Sequence, residues 1–233
     1  MYLESLEDRR LRSVTVVQGY PGFYEVYGDD SDNVITIDVN AADRTFSIDG
    51  KTFAGLNQLA VYGLGGNDLI LVSSTPGSTI SASIDGGAGD DILSLNFDGA
   101  IRGGEGNDRL YLYDSFRGEV YGGGGDDYIW ISGNCVDAAV NGDDGDDWID
   151  ASSNFYRVFI HGGAGNDVIF GSNFDDYIFG DGGNDADDSG PWALLTPTDP
   201  TAQRITVGPE SPGQLFVDDG NGVWCKMIIR THV

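Results

Sequence analysis

A six-residue pattern, rich in glycine and ending in aspartate, recurs seven times and constrains the fold more than any other feature of the chain. The seven copies, which we call the Asp turns, occupy residues 63–68, 86–91, 103–108, 122–127, 142–147, 162–167 and 180–185. Every copy has glycine at positions one and four and aspartate at position six. Glycine at this frequency excludes an α-helix here, because it destabilises helix interiors. Repeats of this period are typical of solenoids, in which each repeat packs on its neighbours.

Large aliphatic residues keep a fixed position relative to each Asp turn. Two positions before the first glycine stand Val61, Ile84, Ile101, Val120, Val140, Ile160 and Ile178. Seven positions after it stand Ile70, Leu93, Leu110, Ile129, Ile149 and Ile169. Most of these residues are β-branched, and their spacing predicts inward-facing positions of short strands on either side of each turn.

The chain is strongly acidic, with 38 Asp and Glu against 12 Lys and Arg and a formal net charge of −26. Nucleic acid and anionic membranes are therefore poor partners, since both require a basic surface. Hydrophobic residues make up 40% of the chain, too many for a disordered acidic tail. No apolar stretch approaches the roughly 18 residues of a membrane span, so no membrane insertion is predicted. A folded chain of this charge favours a hard cation such as Ca²⁺, which binds carboxylate and carbonyl oxygens.

The Asp turns and the aliphatic residues that follow them resemble the RTX (hemolysin-type) calcium-binding repeat, G-G-x-G-x-D-x-U-x. The resemblance covers residues 61–188 and implies an all-β fold, a parallel β-roll or β-solenoid. It implies that the first six residues of each repeat turn around a Ca²⁺ ion and the last three form a strand. It also implies that each ion lies between stacked turns of neighbouring coils, held by carbonyls and the sixth-position carboxylate.

The residues that this resemblance assigns to calcium come from the Asp turns and one additional copy, 171–176. The aspartates are Asp68, Asp91, Asp108, Asp127, Asp147, Asp167, Asp176 and Asp185. The glycines are Gly63, Gly66, Gly86, Gly89, Gly103, Gly106, Gly122, Gly125, Gly142, Gly145, Gly162, Gly165, Gly180 and Gly183. The chain departs from the pattern at the second position in Leu64, Asp143 and Asp181, and at the fourth in Phe174.

The spacing of the turns predicts where the ions lie. A coil of two nonapeptides has about 18 residues, and the first glycines of the Asp turns are 17 to 23 residues apart. All seven turns should therefore stack along one edge of the roll, while copy 171–176 falls on the opposite edge. Seven stacked turns leave six gaps, enough for about six Ca²⁺ ions. A degenerate copy, 28–33, lies upstream.

The flanking regions leave the pattern. Residues 14–60 contain strand-like segments at 14–17, 34–37, 46–48 and 51–53, which we expect to form a β lead-in that caps the roll of residues 61–188. Residues 1–13 are expected to be an export-associated or disordered N-terminus. Within them, residues 6–12 are similar to the LEPR-x-LL segment of exported bacterial surface proteins. Residues 189–233 form a Pro-rich C-terminal segment.

Outward-facing residues on the strands after the turns predict an aromatic face around Tyr128, Trp130 and Trp148. A contiguous apolar face usually contacts something. Three explanations stay open: cover by the C-terminal segment or by a second copy of the chain, stacking on carbohydrate, and packing of the aromatic ladder alone. The opposite face, which includes Asp85 and Arg102, is expected to be more polar.

Catalytic motifs are missing from the sequence. The only histidines are His161 and His232, which excludes an HExxH zinc site and restricts any Ser–His–Asp triad to these two. We therefore predict that the protein is not an enzyme. The alternative is a polysaccharide lyase or epimerase on a β-solenoid, but such a site needs a general base and a basic groove for acidic sugars.

These features predict a calcium-dependent structural or binding module of a secreted or cell-surface bacterial protein, with adhesion as a further role. Millimolar extracellular Ca²⁺ suits weak sites of this kind. Without the ion, repulsion among carboxylates keeps the chain open. With the ion, the free energy of binding becomes free energy of folding.

Overall fold

The structure, a computed structural model, describes residues 14–75, 78–114, 116–174, 176–183, 185–188, 214–218 and 224–228. Within these residues the protein is all-β. In the repeat region it forms two large sheets, and neighbouring strands within each sheet are parallel. The predicted fold class, a parallel β-roll, is confirmed. The predicted segment 1–13 and most of the segment 189–233 lie outside the described residues.

The strands of the roll alternate between the two sheets. Sheet 1 contains β1 (Thr15–Tyr20), β2 (Phe23–Tyr27), β6 (Gln58–Gly65), β8 (Ser81–Ala88), β10 (Gly99–Glu105), β12 (Gly118–Gly124), β14 (Ala138–Asp144), β16 (Val158–Ala164) and β18 (Tyr177–Gly182). Sheet 2 contains β3 (Val34–Asn40), β4 (Thr45–Ile48), β5 (Lys51–Ala54), β7 (Leu69–Ser74), β9 (Ile92–Leu95), β11 (Arg109–Asp114), β13 (Tyr128–Gly133), β15 (Trp148–Asn154), β17 (Val168–Phe170) and β19 (Ala186–Asp188).

The core lies between the sheets and consists of the aliphatic residues predicted to face inward. Residues at the same position in successive coils are paired, as Val61 is with Ile84 in sheet 1 and Ile70 with Leu93 in sheet 2. All thirteen predicted inward residues are at most 2% exposed. Burial of each stabilises the roll by about 1.5–3 kcal/mol.

The edge of the roll opposite the Asp turns is closed by apolar side chains and neutral amides. Phe97 and Phe116 fill this edge and are at most 2% exposed. The side chain of Asn96 accepts the N–H of Ser74 (2.8 Å) and donates to its carbonyl oxygen (3.1 Å). Asn154 makes the same pair of bonds with the backbone of Cys135. Asn96 and Asn154 therefore satisfy backbone groups of this edge with neutral amides.

The N-terminal region adds a coil and covers both sheets. β2 lies parallel to β6 and β3 parallel to β7, so the two strands and turn 28–33 between them continue the roll. β1 then covers β2, and the β4–β5 hairpin covers β3, in antiparallel pairing. The four predicted strand segments are present, and β2 is an additional strand. β1 and β5 are therefore the end strands of the two sheets at this end of the roll.

Beyond the roll, β20 (Gln214–Asp218) and β21 (Trp224–Ile228) form a two-stranded antiparallel sheet within the predicted C-terminal segment. In the part of the chain that the structure describes, no helix has the length and apolar character needed to cross a bilayer.

Candidate calcium sites

The seven Asp turns stack along one edge of the roll. Their sixth-position aspartates lie one above another in a buried row, which we call the aspartate file. Each turn joins a strand of sheet 1 to the next strand of sheet 2. The aspartates are 0–2% exposed except Asp185 in the last turn, at 9%. Their backbone N–H groups donate to Oδ1 of the aspartate one coil further on, as from Asp91 to Asp108 (2.7 Å) and from Asp108 to Asp127 (2.8 Å). One carboxylate oxygen of each residue therefore holds adjacent turns together.

From the second Asp turn to the sixth, the second carboxylate oxygen of the aspartate accepts no hydrogen bond. The Oδ2 atoms of Asp91, Asp108, Asp127, Asp147 and Asp167 are buried and accept no hydrogen bond. Each lies over the first glycine of its own turn, beside a carbonyl oxygen of the next turn. A Cβ placed on Gly103 would lie 2.2 Å from Asp108 Oδ2 and 2.4 Å from the Gly122 carbonyl oxygen. A buried carboxylate oxygen without a partner is destabilising unless a cation or donor meets it.

These oxygens fit Ca²⁺, a hard cation that takes carboxylate and carbonyl ligands in flexible geometry. Within the described residues, no three His, Cys, Asp or Glu side chains converge as a metal-binding group. A cation held in these gaps would therefore take most of its ligands from backbone carbonyls, with the sixth-position carboxylates adding charge. Any such site would depend on the backbone of the turn more than on a cluster of side chains.

The turn backbone is left-handed at two fixed positions. Positions two and four have positive φ in all seven Asp turns, at Leu64, Gly66, Gly87, Gly89, Gly104, Gly106, Gly123, Gly125, Asp143, Gly145, Gly163, Gly165, Asp181 and Gly183. Where glycine is replaced at position two, the left-handed conformation persists, with φ of 82° at Leu64 and 74° at Asp143. A side chain in this region costs about 1–2 kcal/mol, so the stack imposes the turn shape against local preference.

Burial sets the electrostatics of the aspartate file. It raises the pKa of Asp127 to about 8, of Asp91 and Asp147 to about 7, and of Asp108 and Asp167 to about 6. The backbone N–H that each carboxylate accepts lowers its pKa, and neighbouring carboxylates raise it again. Near neutral pH the file therefore favours any cation that can replace the missing protons.

Without calcium, we expect acidification to stabilise the roll. These aspartates have folded-state pKa values of about 6 to about 8, above the unfolded value of about 3.9. Their contribution to stability is fully present below pH 4 and is lost as the pH rises through 6 to 8. Calcium-depleted protein should therefore show more β structure by circular dichroism at pH 5 than at pH 8. With calcium present, protons compete with the ion, so the half-saturating Ca²⁺ concentration should rise on acidification. Calcium-depleted protein with no more β structure at pH 5 than at pH 8 would contradict this assignment.

A family model of the RTX calcium-binding nonapeptide repeat matches the chain in four copies, at residues 83–99, 95–114, 119–130 and 159–186. Five of the seven Asp turns lie within the matched residues. RTX nonapeptide repeats bind Ca²⁺, and the predicted resemblance and cofactor are confirmed. Searches of curated proteins and of solved structures each found no match.

The fifth residues of the Asp turns form a second hydrogen-bonded file, which the sequence pattern did not predict. Its side-chain Oδ1 atoms accept the N–H of the fifth residue one coil further on, as Asp90 does from Asn107 and Asn107 from Asp126 (both 2.9 Å). The sixth-position bonds run in the opposite direction. The signal was present, since only Asn or Asp stands at this position in all seven turns.

Asp176, on the opposite edge, differs from the aspartates of the seven Asp turns. Its Oδ2 accepts the N–H of Ser172 (2.6 Å), and its Oδ1 accepts the Ser172 hydroxyl (2.8 Å) and the Val158 N–H (2.9 Å). These bonds give Asp176 a structural role like that of Asn154 one coil earlier. Its assignment as a calcium ligand stays a prediction.

The aromatic face lies on sheet 2, at the outward positions expected. The rings of Tyr111 and Trp130 meet edge-on with 6.3 Å between their centroids, and the ring centroids of Trp148 and Phe170 are 5.2 Å apart. Trp148 is 43% exposed. Sheet 1 is less uniformly polar than expected, because aromatic rings also stack at its ends, as Phe159 does on Tyr177. Both faces thus carry ladders of rings across neighbouring coils.

Proposed function

We propose that this protein is a calcium-dependent structural module of a secreted or cell-surface protein, whose roll folds as Ca²⁺ ions fill the gaps between RTX turns. The observation that carries the proposal is the file of buried carboxylates whose Oδ2 atoms face carbonyl oxygens of the next turn. An ion in each gap supplies the positive charge that this arrangement lacks. The Asp and Gly residues of the seven turns, at positions one, four and six, are the proposed ligand-bearing residues.

The net charge of the chain supports a fold that depends on bound calcium. A net charge of −26 repels itself when the ions are absent. Calcium binds only the stacked turns, so its binding free energy stabilises the folded state. The proposed location is outside a bacterial cell, where calcium concentrations match sites of moderate affinity. We propose no catalytic role for the cation sites.

The position of an aspartate in the stack should set the effect of removing it. Asp127 lies between Asp108 and Asp147, whereas Asp185 belongs to the last RTX turn and contacts only one earlier turn through the file. We expect Asp127→Ala to remove up to two bound ions and Asp185→Ala at most one. Loss of a ligand and its hydrogen bond costs about 1–3 kcal/mol, and the ions lost add to this. Calorimetric calcium titration gives the stoichiometry, and equal losses in the two variants would argue against shared sites.

We further propose that the aromatic face around Tyr128, Trp130 and Trp148 contacts a carbohydrate or protein partner, or another copy of the chain. Aromatic residues dominate the energetics of such contacts. Trp130→Ser should leave calcium stoichiometry and circular dichroism near those of the parent protein, because the side chain faces away from the turns. Association, measured by sedimentation and by retardation in polysaccharide gels, should weaken at least about tenfold. Tyr121→Ser, on the outer face of sheet 1, is the matched control, and equal behaviour of both variants would reject this face.

A further inference from the structure

Turn 28–33 joins the stack of turns but is built differently from the seven RTX turns. Both hydrogen-bonded files reach it: the Asn33 N–H donates to Asp68 Oδ1 (2.6 Å), and the Asn67 N–H donates to Asp32 Oδ1 (3.1 Å). Asn33 is 1% exposed, as buried as the aspartates of the file. The stack therefore begins at this turn, one coil before the first RTX turn.

The sixth residue of this turn is neutral, and both the oxygen and the nitrogen of its side chain are hydrogen-bonded. Asn33 Oδ1 lies over Gly28 beside the Gly63 carbonyl oxygen, the place that Oδ2 takes in the RTX turns. It accepts the N–H of Asp29 (2.7 Å), and the Asn33 amide group donates to Asp29 Oδ1 (3.1 Å). The oxygen that is left without a partner in Asp91 or Asp127 is here bonded within the turn. No buried charge is left for a cation to neutralise.

The backbone of the turn differs as well. All six residues of 28–33 are described, and none of them has positive φ, whereas every RTX turn has two such residues. Asp29 instead bonds through its side chain to the N–H of Ser31 (3.0 Å). The carbonyls of this turn are therefore not arranged as in the calcium turns. Two independent features, the neutral side chain and the backbone path, distinguish it from them.

The elements around this turn have contacts of their own. Tyr24 meets Phe46 edge-on at 5.1 Å, Phe46 stacks on Phe53 at 4.8 Å, and the Tyr24 hydroxyl donates to the Ala54 carbonyl oxygen (2.7 Å). β4 and β5 are joined by Asp49 and Gly50, both with positive φ, the conformation of a tight two-residue hairpin turn. The antiparallel pairings of this region, β1–β2, β3–β4 and β4–β5, join strands that follow one another in the chain, unlike the parallel pairing of later coils.

We propose that turn 28–33 is a cation-free end of the calcium stack and that residues 14–60 keep their fold when calcium is removed, an inference that rests on the proposed calcium role of the RTX turns. The folded N-terminal coil presents β2 and β3 as templates for β6 and β7. Calcium then extends the roll from this end, one coil at a time. The chain thus separates a part that is permanently folded from a part whose order calcium controls.

Hydrogen exchange of the full chain, resolved by segment, tests the inference. In chelator, amides of β2–β5 should exchange at least about tenfold more slowly than those of β8–β17, and added calcium should protect β8–β17. Rapid exchange everywhere in chelator, reversed by calcium, would overturn the cation-free end and leave the calcium function standing. Full protection everywhere in chelator would overturn the calcium-dependent fold and, with it, the contrast between the two parts.

Asn33→Asp tests the role of the neutral side chain. The variant places a buried carboxylate against Asp29 Oδ1, so protection of β2–β5 in chelator should be lost. Asn57→Asp adds the same charge at an exposed site of the same region and should keep that protection. With calcium, both variants should show the parent exchange pattern in β8–β17, which separates a local effect from general misfolding. An Asn33→Asp variant as protected in chelator as the parent would overturn the inference.

Discussion

In excess chelator the repeat region loses its β structure, and millimolar calcium restores it: this is the largest effect expected. Buried carboxylates such as those of Asp108 and Asp127 repel one another without the ion, and binding free energy couples to folding when it is present. Circular dichroism and the radius of gyration from X-ray scattering measure the two states. Refolding should saturate with several ions bound per chain.

Magnesium is the control for this experiment. Mg²⁺ prefers octahedral coordination at about 2.1 Å and dehydrates reluctantly, so at equal concentration it should restore little structure. A roll that keeps its spectrum and size in chelator would refute calcium-driven folding. Equal recovery in both ions would show that charge screening, and not coordination, drives the transition.

Gly104→Ala should disrupt the stack although it adds a single methyl group. The new Cβ would lie 2.0 Å from the Gly87 carbonyl oxygen of the preceding coil, and φ at this position is +127°. The clash is with backbone, which cannot move without shifting the coil. We expect a loss of roughly 3 kcal/mol or more, and a melting temperature lower by about 6–12 °C in calcium.

Gly124→Ala is the matched control. A Cβ at Gly124 would meet only the side chain of Glu105, at 3.1 Å, and its φ is not in the left-handed region. Its melting temperature should stay within about 2 °C of the parent. If both variants melt together, close packing of coils through the glycine carbonyls does not limit stability.

The repeat predicted the roll because its two signals are physically independent and agree. Val61, Ile70 and their equivalents predicted which residues face inward, and the turn residues predicted the edge along which the coils stack. Both patterns repeat with the length of one coil. A one-residue error would have placed the aliphatic residues outside, and Ile129 is instead fully buried. The placement of the sixth-position aspartates followed from the same register.

Other parts depend on contacts that a linear pattern does not contain. β2 was missed because its flanking turn has Asn33 in place of aspartate and no glycine at positions two and four. The role of Asp176 depends on Ser172 and on the Val158 N–H of the preceding coil. The opposite directions of the two hydrogen-bonded files are a property of the stacked backbone, so no single turn reveals them.

The two long edges of the roll have different freedom to vary. Neighbouring first glycines are separated by as few as 17 residues and as many as 23, yet the Asp turns remain in register. The extra residues are taken up on the far edge, where neutral amides of Asn96 and Asn154 close the coils. One edge thus sets the pitch of the molecule, while the other accepts changes in loop length. A peptide inserted for display or recognition belongs on that far edge, where it leaves the spacing between ions unchanged.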